Sequence, residues 1–190
     1  GGERGERVAG LGMLASALAG RPVAVAELQA GEPAWTDGQT IHLDATARDG
    51  GGIEILKTVA AQASMIAAGS LDPDVVRSLV RHPRLAKRYL AIEGHRALVC
   101  NADLLPGILA SLGDRDIAGR SDSPATSLRI ASGREAIDDP EPAFGVIRAA
   151  KVVAAASRAE AQRNQAEPQH VPRKLGNQKP PELEELDDGE

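Results

Sequence analysis

Residues 50–69 read GGGIEILKTVAAQASMIAAG. Ile53, Leu56, Val59 or Ala60, Ala63, Ile66 and Ala67 recur at steps of three and four, which places them on one face of a helix. Ala61, Ala63 and Ala68 are small, so neighbouring helices can approach closely, and the stretch reads as the central helix of a helix-on-helix core. Gly69 is a natural C′ residue to close it.

Upstream, residues 7–19 (RVAGLGMLASALA) predict a first helix closed by Gly20 and by Pro22 just beyond, with residues 1–6 disordered. PVAVAEL then alternates enough for a short strand. AWTDGQTIHL follows, where Asp37-Gly38 between alternating residues is a strong short-range signal for a β-hairpin, the only clear β element. Downstream, Asp72-Pro73 is an N-cap followed by proline at the first helical position, predicting a short helix through Arg81. His82-Pro83 ends it and opens another helix, roughly 84–102, with Leu85, Tyr89, Ile92, Arg96 and Val99 in register. Leu104 to Leu112 is a short apolar segment. Residues 113–142, rich in Asp, Ser, Gly and Pro, read as a long loop with one short element near SLRIAS. A last helix is expected from Pro142 to about Gln165. Prolines and acids over 166–190 then leave too little apolar surface to order an acidic tail.

Composition agrees with a mostly α, alanine-rich domain. Hydrophobic residues are 42% of the 190, but the aromatics are only Trp35, Tyr89 and Phe144, so Leu, Ile, Val and Ala must build the core. Scarce aromatics and a net charge of −5 argue against a nucleic-acid-binding role. The single cysteine, Cys100, rules out an internal disulfide and fits a reducing, cytoplasmic setting. No apolar run reaches the ~18 residues of a membrane span. The chain starts without Met and stops inside an acidic run, Glu182 to Glu190, which suggests a piece of a longer protein.

No complete catalytic or metal-binding motif stands in the sequence, and no cofactor is expected. His42, His82, His95 and His170 share no helical ligand spacing. There is no G-x-S-x-G elbow, and Gly50-Gly51-Gly52 lacks the lysine and Ser/Thr of a phosphate loop. Two patterns remain. Arg77 to Arg96 holds six Lys/Arg against one acid, and Arg77, Arg81, Arg84, Lys87 and Arg88 form a basic stripe that could meet an acidic partner, a phosphate or the chain's own tail. Glu93, His95 and Arg96 form the one acid–base cluster of the helical region, where an internal Glu–Arg pair organising helix packing outweighs catalysis. These eight residues are the expected partner-binding set.

Trp35-Thr36-Asp37-Gly38, Gln62-Ala63-Ser64 through Gly69-Ser70, and Pro83-Arg84-Leu85-Ala86 through Glu93-Gly94-His95-Arg96, in that order, resemble the region preceding the von Willebrand A domain in bacterial proteins of the nitric oxide reductase activation (NorD-like) type and their actinobacterial relatives. The resemblance covers about residues 7–112. It implies work with a MoxR-type AAA+ ATPase on a client enzyme, often a metalloenzyme, as a chaperone-like activation factor. The A domain's D-x-S-x-S metal motif is missing, since Asp122-Ser123-Pro124 puts proline at the serine position. The order of elements is also similar to zincin metallopeptidases. The helix that would carry H-E-x-x-H reads Ala60-Ala61-Gln62-Ala63-Ser64-Met65, and Glu93 would mark the old acidic ligand of a degenerate, zinc-free scaffold. A non-catalytic interaction module is therefore expected. The alternatives are a hydrolase completed by the 113–142 loop or by residues outside the chain, and a structural subunit of a larger enzyme.

Overall fold

The computed structural model of the chain describes residues 2–46 and 51–167. Eight α-helices pack with a small sheet among these residues: α1 (Gly2–Ala19), β1 (Ala24–Glu27), β2 (Trp35–Thr36), β3 (Thr40–Leu43), α2 (Gly51–Ala67), α3 (Pro73–Val76), α4 (Pro83–Cys100), α5 (Gly107–Ala110), α6 (Arg115–Ala118), α7 (Pro124–Ala131) and α8 (Ala149–Ala166). Short 3₁₀ turns at Arg77–Leu79, Ala102–Leu104 and Pro142–Phe144 join them. The chain is mostly α, as its composition implies.

The hairpin forms where Asp37-Gly38 directs it. The Asp37 carboxylate accepts from the amides of Gln39 (2.8 Å) and Thr40 (2.9 Å), and Thr36 Oγ1 donates to the Thr40 carbonyl at 2.7 Å. Gly38 takes φ +95, which an L side chain resists. Strands β2 and β3 pair antiparallel, with Trp35 opposite His42. The PVAVAEL segment supplies β1, which adds parallel to the other edge of β3, giving the order β1-β3-β2. Ile41 and Leu43 turn one face of β3 into the core.

Helix α2 lies at the centre. Val59, Ala60, Ala61 and Ala63 are completely buried, so all of its sides are covered near the middle. Alanine at these places lets α1 and α4 approach the α2 backbone. A Schellman motif closes the helix: the Ser70 amide donates to the Met65 carbonyl and the Gly69 amide to that of Ile66, with Gly69 at φ +75. Leu11, Ala15 and Leu18 of α1, the sheet and Leu90 and Leu98 of α4 complete the main core. A second cluster, Val76, Leu79, Ala86, Tyr89, Ala131, Ala149 and Val152, ties α3, α4, α7 and α8 together.

Three boundaries differ from those expected. Helix α1 begins at Gly2, so residues 2–6, expected to be disordered, extend it; Arg4 there pairs with Glu27 at 2.8 Å. The expected long loop at 113–142 holds α6 in addition to α7, which forms where a short element was expected near SLRIAS. Both start on side-chain caps: Asp114 accepts from the amides of Asp116 and Ile117, and Ser123 accepts from that of Thr126 ahead of Pro124. Residues typical of loops serve here as helix caps. The last helix starts at Ala149 rather than Pro142, because Phe144 is drawn into the core. Its carbonyl accepts from Gln62 Nε2 at 2.7 Å, the Val146 amide donates to Ala34 O at 2.8 Å, and Gly145 turns the chain at φ +62. The expected acidic tail falls, from residue 168 onward, outside the described residues, as do Gly1 and residues 47–50.

Candidate functional site

Glu93, His95 and Arg96 come together on α4, but in the interior. Glu93 is fully buried, and His95 and Arg96 are 6% and 7% exposed. Arg96 grips the Glu93 carboxylate with Nε and, at 2.8 Å, with Nη2, which also donates to the Ala68 carbonyl at 2.9 Å. Ser127 Oγ of α7 donates to the same carboxylate at 2.9 Å and lies 2.7 Å from Ser121 Oγ. The Arg96 guanidinium is held above its ordinary range, first by its hydrogen bond to Glu93. His95 Nδ1 accepts from the Asp114 amide at 3.0 Å, and its ring stands edge-on to Phe144 at 4.9 Å. Burial pushes its pKa down. The trio is a buried network that fastens α4 to α2, α6 and α7. Glu93, His95 and Arg96, expected in the partner-binding set, are instead interior residues with buried side chains.

The expectation of an internal Glu–Arg pair thus describes the geometry. Gln62 and Ser64, the polar residues of the 60–65 stretch compared with the zincin helix, are fully buried and engaged elsewhere: Gln62 on Phe144, Ser64 as an acceptor for Asn101 Nδ2 at 3.1 Å. Among the described residues, no group of three or more His, Cys, Asp or Glu is placed to hold a metal ion. Nor is any helix among them long and apolar enough to cross a membrane.

The basic stripe divides into two parts. Arg88 is half-buried and spans the end of α7, donating to the carbonyls of Ala131 (2.8 Å), Gly133 (3.2 Å) and Glu135 (2.8 Å). It is a helix-end clamp. Arg77, Arg81, Arg84 and Lys87 are exposed at the α3–α4 corner, where Arg77 pairs loosely with Asp74 (3.4 Å) and Lys87 with Asp139 (3.2 Å). Arg81 adopts φ +64, unusual for a residue with a side chain, and this left-handed turn lets the chain reverse ahead of Pro83.

Two cations that sequence reasoning missed join this corner. Arg148, at the N-cap of α8, places its guanidinium 5.1 Å from the centre of the Trp35 ring, which also stacks on His42 with centroids 4.0 Å apart. Lys151 lies one turn further and is exposed. Both line an open cleft of about 270 Å³ between the starts of α4 and α8, with Arg81 and His82 on its other side. Leu79, Ala86 and Ile147 give it an apolar wall. No Asp or Glu lines it among the described residues. The signal in the sequence was Arg148 and Lys151 one turn apart, hidden by expecting the helix to begin at Pro142. A larger groove of about 680 Å³ along α8 carries charges of both signs, among them Arg21, Asp37, Arg77 and Glu160.

Compared with known proteins, the chain matches no family model, no curated protein and no solved structure.

Proposed function

We propose that this domain is a non-catalytic interaction module of an activation factor of the NorD-like type, docking a MoxR-type AAA+ ATPase or the client enzyme on which such a pair acts. The observation that supports the reading is the exposed basic corner. Arg77, Arg81, Arg84 and Lys87 project from the turn between α3 and α4, on a chain whose net charge is −5. A local positive patch on a net-acidic molecule has no general attraction for polyanions and instead selects partners that present a matching acidic patch.

The test is capture of a purified MoxR-type ATPase by the full chain, compared with R77E/R84E. Arg88 is kept, because its loss would free the end of α7. The reading predicts that the double reversal weakens capture by roughly tenfold, and that wild-type capture falls as salt rises, since exposed ion pairs of about 0.2–1 kcal/mol each are screened. Equal capture by both chains at low and physiological salt would remove the corner from the account.

A further inference from the structure

We infer that the cleft between the starts of α4 and α8 takes a short acidic peptide segment of a partner protein, with one apolar side chain lodged against Leu79, Ala86 and Ile147. The inference rests on the docking reading above and places its specific contact at the edge of the exposed stripe, which it shares through Arg81.

Charge is the first argument. Arg81, His82, Arg148 and Lys151 surround the cleft, and no acid lines it among the described residues. Both helices point their positive ends at this place. Neither α4 nor α8 has a side-chain N-cap bond or an acid in its first turn, whereas Asp72, Asp114 and Ser123 cap α3, α6 and α7. Cations at the positive end of a helix dipole oppose local stability. Three cations, Arg81, Arg148 and Lys151, gathered at two such ends form a field that an incoming carboxylate relieves.

Shape and chemistry narrow the ligand. At about 270 Å³ the cleft falls below the 300–1,000 Å³ usual for small-molecule sites, and it is open, which suits a stretch of chain with one lodged side chain. Its apolar wall has no use for free phosphate. Nucleic acid is disfavoured by the chain's net charge of −5 and by the state of Trp35, which is covered by His42 and Arg148 instead of being open for stacking. Arg148 is held by its place over Trp35, so part of the ordering needed for binding is already made.

The experiment is fluorescence anisotropy of a fluorescein-labelled Glu-Glu-Leu-Glu-Glu peptide titrated with the full chain. The comparison proteins are K151E, R81G and R77E/R84E. Lys151 is exposed, and glycine suits the positive φ of Arg81, so the first two should fold; thermal melts check this. Binding is expected for wild type and R77E/R84E, with affinity down roughly tenfold in K151E and R81G. A Lys-Lys-Leu-Lys-Lys peptide should not bind. Equal affinity across wild type, K151E and R81G would overturn the cleft while leaving the corner open to its own capture test. Displacement by inorganic phosphate, but not by chloride of matched ionic strength, would replace the peptide with a free anion. A large gain in affinity when the acids of 182–190 are changed to Gln and Asn would make the chain's own terminus the occupant, and so overturn the assignment to a partner.

Discussion

Gly94 has no room for a methyl group. A Cβ placed there would stand 2.6 Å from Phe144 Cε2, and Phe144 is itself fully buried. The Gly94→Ala chain should lose about 1–3 kcal/mol, read as a lower urea midpoint with an unchanged m-value, because an immobile ring cannot yield to an added carbon. Glu93 makes a second residue-scale case. With Glu93→Gln, Arg96 keeps its charge in the interior without a counter-charge, and the expected loss is about 3–5 kcal/mol. The paired Glu93→Leu/Arg96→Met chain should recover much of it, since no uncompensated ion then remains buried. A double change as costly as the single one would mean the pair does more than neutralise itself. Arg81 works in the opposite sense: Arg81→Gly relieves a positive φ and should leave stability equal or higher, by up to about 1 kcal/mol.

Among the elements, those with a clear period or a strong turn signal were legible in the sequence. The apolar spacing of 53–67 marks α2, Asp37-Gly38 marks the hairpin, and Asp72-Pro73 marks α3, and each of the three forms. Elements that depend on distant contacts were harder to read. The kink before α8 exists because Phe144 packs under Gly94 and its carbonyl meets Gln62, partners 50 and 82 positions away in sequence, so no local pattern announces it. Helix α7 was legible only as a short element near SLRIAS and α6 not at all, since Asp114 and Ser123 favour loops as much as caps. Their capping role gives a prediction: Asp114→Ala, which removes the acceptor for two amides, should cost about 1 kcal/mol. Proteolysis focused near 113–120 would be its local signature. The site divides in the same way. The exposed stripe and the internal Glu93–Arg96 pair could be read from the sequence, whereas the bonds of that cluster to Ala68, Asp114 and Ser127 could not, because those partners lie far along the chain. Arg148 and Lys151 reach the corner only through the tertiary fold.

For the molecule as a whole, pH should act through two imidazoles, the buried His95 and the half-buried His42. Burial lowers the pKa of His95, against the opposing charges of Asp114 and Glu141, and it also lowers that of His42, where Arg148 and Lys151 add to it. The unfolded chain therefore takes up more protons than the folded one as pH drops through the ordinary histidine value of about 6.5. Stability is complete above that value and declines below it. The urea midpoint should fall between about pH 7.5 and about pH 5, and His95→Gln should flatten the decline; an unaltered slope would assign it to other groups. The docking account itself is tested most directly by the affinity of the full chain for a purified MoxR-type ATPase, measured by calorimetry at two ionic strengths with wild type and R77E/R84E. The account predicts binding that weakens with salt and is reduced roughly tenfold by the two reversals. Salt-independent binding of equal strength in both chains would contradict it.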